Sequence, residues 1–147
     1  MDCVSGSLDV LDHDRPSPLT WAHSFGLSVA ILRQGEIGAE RWTSFMGSFE
    51  QSGTSRLLLL VLGPVDLAPV RRRALAHAIA ERHVAAIVDT VLGRGMITAL
   101  GWSGVSIEIF PLSCMRAALA SLDPESDGET IEQCLDLAAR LIEATGA

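Results

Sequence analysis

The stretch Leu57-Leu58-Leu59-Leu60-Val61-Leu62, followed at once by Gly63-Pro64, decides the fold of this chain. Its residues are apolar on both faces, which is typical of a central strand in a parallel sheet that is covered on both sides. It is the longest wholly apolar run in the chain, and its six residues fall far short of the roughly 20 that a transmembrane helix needs. The stretch therefore predicts an internal strand, and we expect no membrane span.

Strand and helix patterns alternate on both sides of this stretch. Alternating apolar residues predict a strand at 26–33, and apolar residues at helical spacing predict a core-facing helix from Ile37 to Phe49, ended by Gly53. After the central strand, a helix is predicted from Leu67 to Arg82, with Asp66 as its cap. Its predicted buried face consists of Leu67, Val70, Ala74, Ala78 and Ile79.

The second half of the chain continues the alternation. The predicted elements are a strand at Ala85–Asp89, a loop at Thr90–Gly95, a short helix at Met96–Trp102, an edge strand at Val105–Phe110 and a helix capped by Ser113. Trp102 is expected to pack at the base of the edge strand. Together these elements predict an α/β domain with a small, mostly parallel, four-stranded sheet.

Both ends of the chain are acidic within a net charge of −7. Residues 1–14 carry four Asp and no Arg, and residues 123–147 carry seven acids and one Arg. We expect 1–18 to be a flexible segment, 19–122 to be the α/β domain, and 123–147 to hold a linker and an amphipathic helix at 129–144. That helix must cover either the domain's own sheet or the same helix of a second copy, so a homodimer is one alternative.

Composition narrows the possible chemistry. All 11 basic residues are Arg, and the absence of Lys, Asn and Tyr points to a GC-rich, bacterial genome. Without Lys there is no Schiff-base lysine and no phosphate-binding P-loop lysine. The three widely spaced Cys and the missing signal-peptide pattern predict a protein of the reducing cytoplasm. The acidic balance argues against nucleic-acid binding.

The candidate reactive residues do not form a known catalytic pattern. Asp89 ends a strand as a receiver-domain phosphoacceptor would, but the chain has neither the partner acidic cluster nor the Lys, so we expect Asp89 to cap a turn or to pair with an Arg. The four His have no metal-ligand spacing, and Ser103 does not lie in a nucleophile elbow. No metal or cofactor is expected.

Two clusters remain as candidate binding sites. Gly93-Arg94-Gly95 follows a strand, where backbone N–H groups can hold an anion, and either Thr90 or Thr98 could join Arg94 there. A tight turn with an exposed Arg is the competing interpretation. Arg71-Arg72-Arg73 falls in the first half of a helix, where the helix dipole disfavours cations, so these residues serve an acidic partner or form a solvated face.

The segment from Leu57 to Leu122 resembles the STAS/SpoIIAA-like family, including the STAS/SEC14-like proteins of GC-rich bacteria. The resemblance rests on the order of the predicted strands and helices, and on Gly93-Arg94-Gly95-Met96-Ile97-Thr98-Ala99-Leu100-Gly101-Trp102 after a strand. It implies a non-enzymatic domain that binds partner proteins. In anti-sigma antagonists of the family, a Ser in an Asp-Ser-Ser-Gly-like stretch is phosphorylated. The corresponding stretch here, Asp89-Thr90-Val91-Leu92-Gly93-Arg94, lacks that Ser pair, so Thr90 is the one possible phosphosite.

The sequence thus favours a non-catalytic interaction or regulatory module in a bacterial cytoplasm. Its partner is expected to be another protein, and an acidic one would suit the basic residues. The expected contact residues are Arg71, Arg72, Arg73, Thr90, Gly93, Arg94 and Gly95. The alternative is a protein that binds a small ligand, a lipid or a nucleotide, in the crevice at the carboxyl ends of the strands. A small enzyme is the third possibility.

Overall fold

Five strands form one mixed sheet, in the order β1–β2–β3–β4–β5, in the computed structural model, which describes residues 18–24, 26–102, 104–123 and 128–146. The strands are β1 (Leu19–Ser24), β2 (Leu27–Arg33), β3 (Arg56–Leu62), β4 (His83–Val88) and β5 (Ile107–Phe110). The helices are α1 (Ala39–Ser52), α2 (Pro69–Ile79), α3 (Val91–Gly101), α4 (Met115–Leu122) and α5 (Gly128–Gly146), with a 3₁₀ turn at Leu112–Cys114 before α4. The predicted flexible segment lies, apart from residue 18, outside the described residues, as do residues 124–127 of the predicted linker.

The α/β class is confirmed, but the sheet has five strands instead of four and is mixed. Strands β2 to β5 are parallel, and β1 pairs antiparallel with β2. The sequence pattern predicts one strand at 26–33, whereas a further strand, β1, precedes it and the chain reverses direction between Ser24 and Leu27. Gly26, with a φ of 74°, lies where the chain reverses and adopts the left-handed conformation that glycine tolerates.

The prediction that Leu57–Leu62 is a central strand is confirmed, because β3 lies third of five strands. Its side chains alternate between two buried layers. Leu57, Leu59 and Val61 join the core under α1, α2 and α3, while Leu58, Leu60 and Leu62 join the core under α4 and α5. Helices thus cover both faces, which explains why this strand has no polar side.

Helices α1, α2 and α3 lie on the same face of the sheet. Each of the three crossovers between parallel strands moves one position in the same direction across the sheet. Crossovers of one handedness must then place their helices on one face. As a result the starts of α2 and α3 lie side by side at the carboxyl edge of the sheet, which is the edge where the parallel strands end.

Helix α5 packs on the domain's own sheet, which decides between the two arrangements that the sequence left open. Leu137, Ala138 and Leu141 are fully buried against the second core layer, and a guanidinium nitrogen of Arg33 donates to the carbonyl oxygen of Ile142 at 3.4 Å. The apolar stripe is therefore already covered within the chain. It does not support dimerisation through this helix.

The predicted buried face of α2 is confirmed at Ile79 but wrong at Val70. Leu75, Ala76 and Ile79 are buried, whereas Val70 is 73% exposed. The prediction started the helix at Leu67. Leu67 is buried, but it lies in the loop before α2, so its burial does not indicate which face of the helix is buried. Asp66 is not the cap either, because the N-cap position falls at Ala68 and makes no side-chain hydrogen bond.

Two predictions near β5 also need correction. Ser113 does not cap α4, because it lies within the 3₁₀ turn and the N-cap position falls at Cys114. Trp102 is 82% exposed instead of packed. Its position follows from the phase of α3, which buries Met96, Ile97 and Leu100 and so leaves the residue after Gly101 on another side. The prediction that the strand ending at Phe110 is an edge strand is confirmed.

Candidate functional site

The loops after β3 and β4 are tied together at the carboxyl edge of the sheet. Asp89 and Thr90 hold both polar groups of the Gly63 backbone: an Asp89 carboxylate oxygen accepts from the Gly63 N–H at 2.7 Å, and the Thr90 hydroxyl donates to the Gly63 carbonyl at 2.9 Å. Gly63 has a φ of 96°. Asp89 therefore serves a backbone group of the neighbouring loop instead of pairing with an Arg. This part of the edge is a fixed platform.

Thr90 also begins α3. Its hydroxyl oxygen accepts from the Gly93 N–H at 3.0 Å, which satisfies one of the unpaired donors of the first helical turn. The predicted loop at Thr90–Gly95 is therefore wrong, since α3 begins at Val91 and ends at Gly101. Phosphorylation of Thr90 would remove the hydroxyl proton and with it the hydrogen bond to the Gly63 carbonyl.

The two glycines of the predicted motif play different roles. Gly93 is buried, and a Cβ placed on it would lie 3.0 Å from a methyl carbon of Val61 and 3.1 Å from one of Val88. It therefore lets α3 approach the sheet closely. Gly95 is exposed, and a Cβ there would meet nothing within 4 Å.

The three arginines of α2 do not form one basic surface. Arg71 is engaged within the fold: it donates to the Ile37 carbonyl at 2.7 Å, and its guanidinium lies 5.3 Å from the ring centroid of Trp42. Arg72 contacts the Asp66 carboxylate at 3.4 Å. Of the three, Arg73 alone is exposed and forms no ion pair with the described residues. Two of these three predicted contact residues thus have internal roles.

Arg94 and exposed apolar side chains surround the start of α3. Arg94 is exposed, and its side chain makes no ion pair with any described residue. Val91 is 89% exposed, Leu92 48% and Leu112 44%. Clusters of exposed apolar residues of this kind mark interaction sites more often than single ones do.

A groove runs between the start of α3 and the 3₁₀ turn that follows β5. Its volume is about 390 Å³, and it is open to solvent. The lining residues are Val88, Asp89, Thr90, Val91, Arg94, Pro111, Leu112 and Ser113. The groove thus combines apolar side chains with Arg94 and with the Asp89 carboxylate, one oxygen of which already accepts from the Gly63 N–H.

Sequence reasoning found Thr90, Gly93 and Arg94 but missed Val91, Leu92 and Leu112. A usable signal was present: Met96, Ile97 and Leu100 extend back to Gly93 at helical spacing, and this leaves positions 91 and 92 outside the buried face. Because Thr90–Gly95 was predicted to be a loop, the exposed side of the first helical turn was not recognised. No comparable signal existed for Leu112, whose exposure depends on the turn after β5.

Among the described residues, no group of three or more His, Cys, Asp or Glu side chains is arranged to hold a metal ion. No helix within these ranges is both long and apolar enough to cross a membrane. Comparison of the chain with family models, with curated proteins and with solved structures gives no match.

Proposed function

We propose that this chain is a protein-interaction and regulatory module of the STAS type, acting in a bacterial cytoplasm, whose carboxyl edge binds a partner without catalysis. The observation that carries the proposal is the exposed pair Val91 and Leu92, which lies beside the unpaired Arg94 on an otherwise hydrogen-bonded platform. Strands and helices alternate through residues 27–122, as the resemblance requires.

The chemistry of this surface favours an apolar partner segment that carries a carboxylate. The first turn of α3 contains no acidic residue, so the positive end of its dipole is not neutralised from within the helix. Arg94 adds a guanidinium that can bind a carboxylate through two hydrogen bonds. Arg73 does not line the groove.

Site-specific photo-crosslinking in the native cells tests this surface. A photoreactive phenylalanine analogue at position 91 should give a discrete crosslinked protein, whereas the same residue at the exposed position 139 of α5 should not. Arg94→Glu should abolish the adduct and Arg140→Glu should retain it. Because an acid in the first helical turn is favourable by about 0.3–1 kcal/mol, Arg94→Glu should not unfold the chain.

Identical adducts from positions 91 and 139, or an adduct that is unaffected by Arg94→Glu, would contradict the proposal. Since Arg71 supports the fold through Ile37 and Trp42, a charge reversal there would confuse binding with stability. Arg94→Glu is therefore tested alone.

A small-ligand binding protein is the second candidate, and the groove is the observation in its favour. Its volume of about 390 Å³ lies within the range of about 300–1,000 Å³ that is typical of ligand sites. A ligand that binds only the folded chain raises its apparent stability. A lipid or nucleotide that raises the melting temperature of the native chain, but not that of Arg94→Glu, would favour this candidate over protein binding.

A further inference from the structure

A second polar cluster lies at the opposite edge of the sheet, where the parallel strands begin. His23 of β1 is its centre: its Nδ1 lies 2.7 Å from the Ser28 hydroxyl of β2, and its Nε2 lies 2.8 Å from the Ser48 hydroxyl of α1. The Ser28 hydroxyl is hydrogen-bonded to the Thr54 hydroxyl at 2.5 Å, and the Thr54 hydroxyl is hydrogen-bonded to that of Ser52 at 3.0 Å.

The far end of this chain fixes the direction of every hydrogen bond in it. The Ser52 hydroxyl donates to the carbonyl oxygen of Phe49 at 2.6 Å, because a carbonyl can only accept. Each hydroxyl has one proton. Thr54 must therefore donate to Ser52, Ser28 must donate to Thr54, and the Nδ1–H of His23 must donate to Ser28.

The tautomer of His23 follows from this order. In the neutral imidazole with Nδ1 protonated, Nε2 carries a lone pair, and it accepts the proton of the Ser48 hydroxyl. Ser28 and Thr54, which hold the ring in place, are buried, whereas His23 and Ser48 are half-exposed. A base that is oriented from the buried side and bonded to an accessible hydroxyl is the arrangement that activates a serine.

We propose that Ser48 is a nucleophile activated by His23 and that it takes the acyl group of small carboxylic esters. The proposal rests on a hydrogen-bonded series in which Ser48 is the nucleophile, His23 is the base and the Ser28 hydroxyl orients the base. It adds a reactive site to a chain whose proposed binding surface, at the other edge of the sheet, performs no chemistry.

Electrostatics keep His23 in the neutral form that can accept the proton of Ser48. Burial, and to a lesser degree the positive charge of Arg82, lower the pKa of His23, so the imidazole is neutral at physiological pH. The Arg82 guanidinium lies 4.0 Å from the ring centroid of Phe49, the residue next to Ser48, and donates to the Phe49 carbonyl at 3.3 Å. Arg82 thus places a positive charge beside the residue that follows Ser48.

The step balances with water as the only co-reactant. The Ser48 oxygen forms a bond to the ester carbonyl carbon while its proton moves to Nε2 of His23. The bond from that carbon to the alkoxy oxygen then breaks, and the leaving alcohol takes the proton from His23. Water then attacks the acyl carbon while His23 accepts one of its protons. The bond from that carbon to the Ser48 oxygen breaks, the Ser48 oxygen takes the proton back from His23, and a carboxylic acid leaves.

Labelling of the full-length chain with a fluorophosphonate tests the proposal, because the probe forms a P–O bond with an activated serine and releases fluoride. Peptide mass spectrometry should place the label on Ser48. Ser48→Ala should abolish it, and Ser44→Ala, one turn earlier on the exposed side of α1, should leave it unchanged. His23→Gln should lower the labelling rate by about 100-fold or more, the usual contribution of a general base.

The pH profile separates activation from a structural role. Labelling of the native chain should reach its plateau below neutral pH, as His23 loses its proton, whereas His23→Gln should show no such titration. No label on Ser48 in the folded chain, or equal labelling of Ser44, would overturn the proposal. If His23→Gln fails to fold, the site of labelling and the pair Ser48→Ala and Ser44→Ala still decide it. None of these outcomes depends on binding at Arg94.

Discussion

His23 joins β1 to the last turns of α1 through Ser48 and lies half-buried between them. Burial first, and the charge of Arg82 second, lower its pKa from 6.5. The unfolded chain therefore takes up a proton near that pH while the folded chain does not. The stability that neutral His23 contributes is complete above this pH and decreases as the pH falls toward the pKa of the folded state.

Urea unfolding across about pH 5 to 8 measures this linkage. The native chain should lose stability as the pH falls below the unfolded-state value of 6.5, and His23→Gln should remove that part of the slope. His83→Gln, which changes an exposed imidazole, is the control and should retain it. An unchanged slope in His23→Gln would show that the ring titrates alike in both states.

Residue roles were predictable where they depend on near neighbours in sequence. Gly53 ends α1 with a φ of 68°, as its place after an amphipathic stripe predicts. The contacts of Arg71 with Ile37 and of His23 with Ser48 were not predictable, because these partners lie 34 and 25 positions away in sequence. The His23 contact also needs β1 to fold back on β2, a reversal that the alternating pattern does not reveal.

At the scale of elements, α3 owes its close approach to the sheet to one of its glycines. Gly93→Ala should push a methyl group against Val61 and Val88, and overpacking of this kind costs about 1–3 kcal/mol. Gly95→Ala places its methyl in open space and should stabilise the helix by about 1 kcal/mol. Both substitutions replace Gly by Ala within the same helix, so the gain in helix propensity is the same. The difference between their free energies of unfolding therefore measures the packing cost at Gly93.

Chemical denaturation of the two variants checks this difference. Gly93→Ala should be the less stable variant by about 1–3 kcal/mol. Equal stability would mean that the sheet yields to the added methyl and that Gly93 is not required for packing. Binding at the carboxyl edge should weaken with Gly93→Ala alone, because the start of α3 moves relative to Asp89 and Thr90.

Element types were more predictable than element phases. The type of β3 followed from its composition, since a strand without a polar face must lie between two layers. The phase of α2 did not, because Leu67 is buried from a loop and imitates a helical position. An apolar residue in the sequence predicts a buried side chain, but it does not predict whether that residue belongs to a helix or to the loop beside it.

At the scale of the whole molecule, two buried layers lie on opposite faces of one sheet. The first is covered by three crossover helices that come between strands, and the second by α4 and α5, which follow the last strand. The helices that cover the first layer are therefore in place once the chain has formed its last strand. The second layer depends on the end of the chain returning to cover Val29, Leu58 and Ile87.

Removal of residues 128–147 tests that dependence. If α5 were only a dimerisation helix, the shortened chain would be a folded monomer. Because Leu137, Ala138 and Leu141 cover the second layer in the same chain, we expect the shortened protein instead to lose cooperative unfolding, to bind a hydrophobic dye and to aggregate. Size-exclusion chromatography and thermal unfolding distinguish these outcomes.

Point variants give the same test without removing the helix. Leu137→Ala should cost about 2–5 kcal/mol, the usual range for a buried leucine, while Leu135→Ala, at a partly buried position of the same helix, should cost clearly less. Neither should change the oligomeric state on size-exclusion chromatography. If Leu137→Ala instead converted a dimer into an equally stable monomer, the stripe would belong to an interface between copies, and the second layer would be closed by a partner and not by the chain itself.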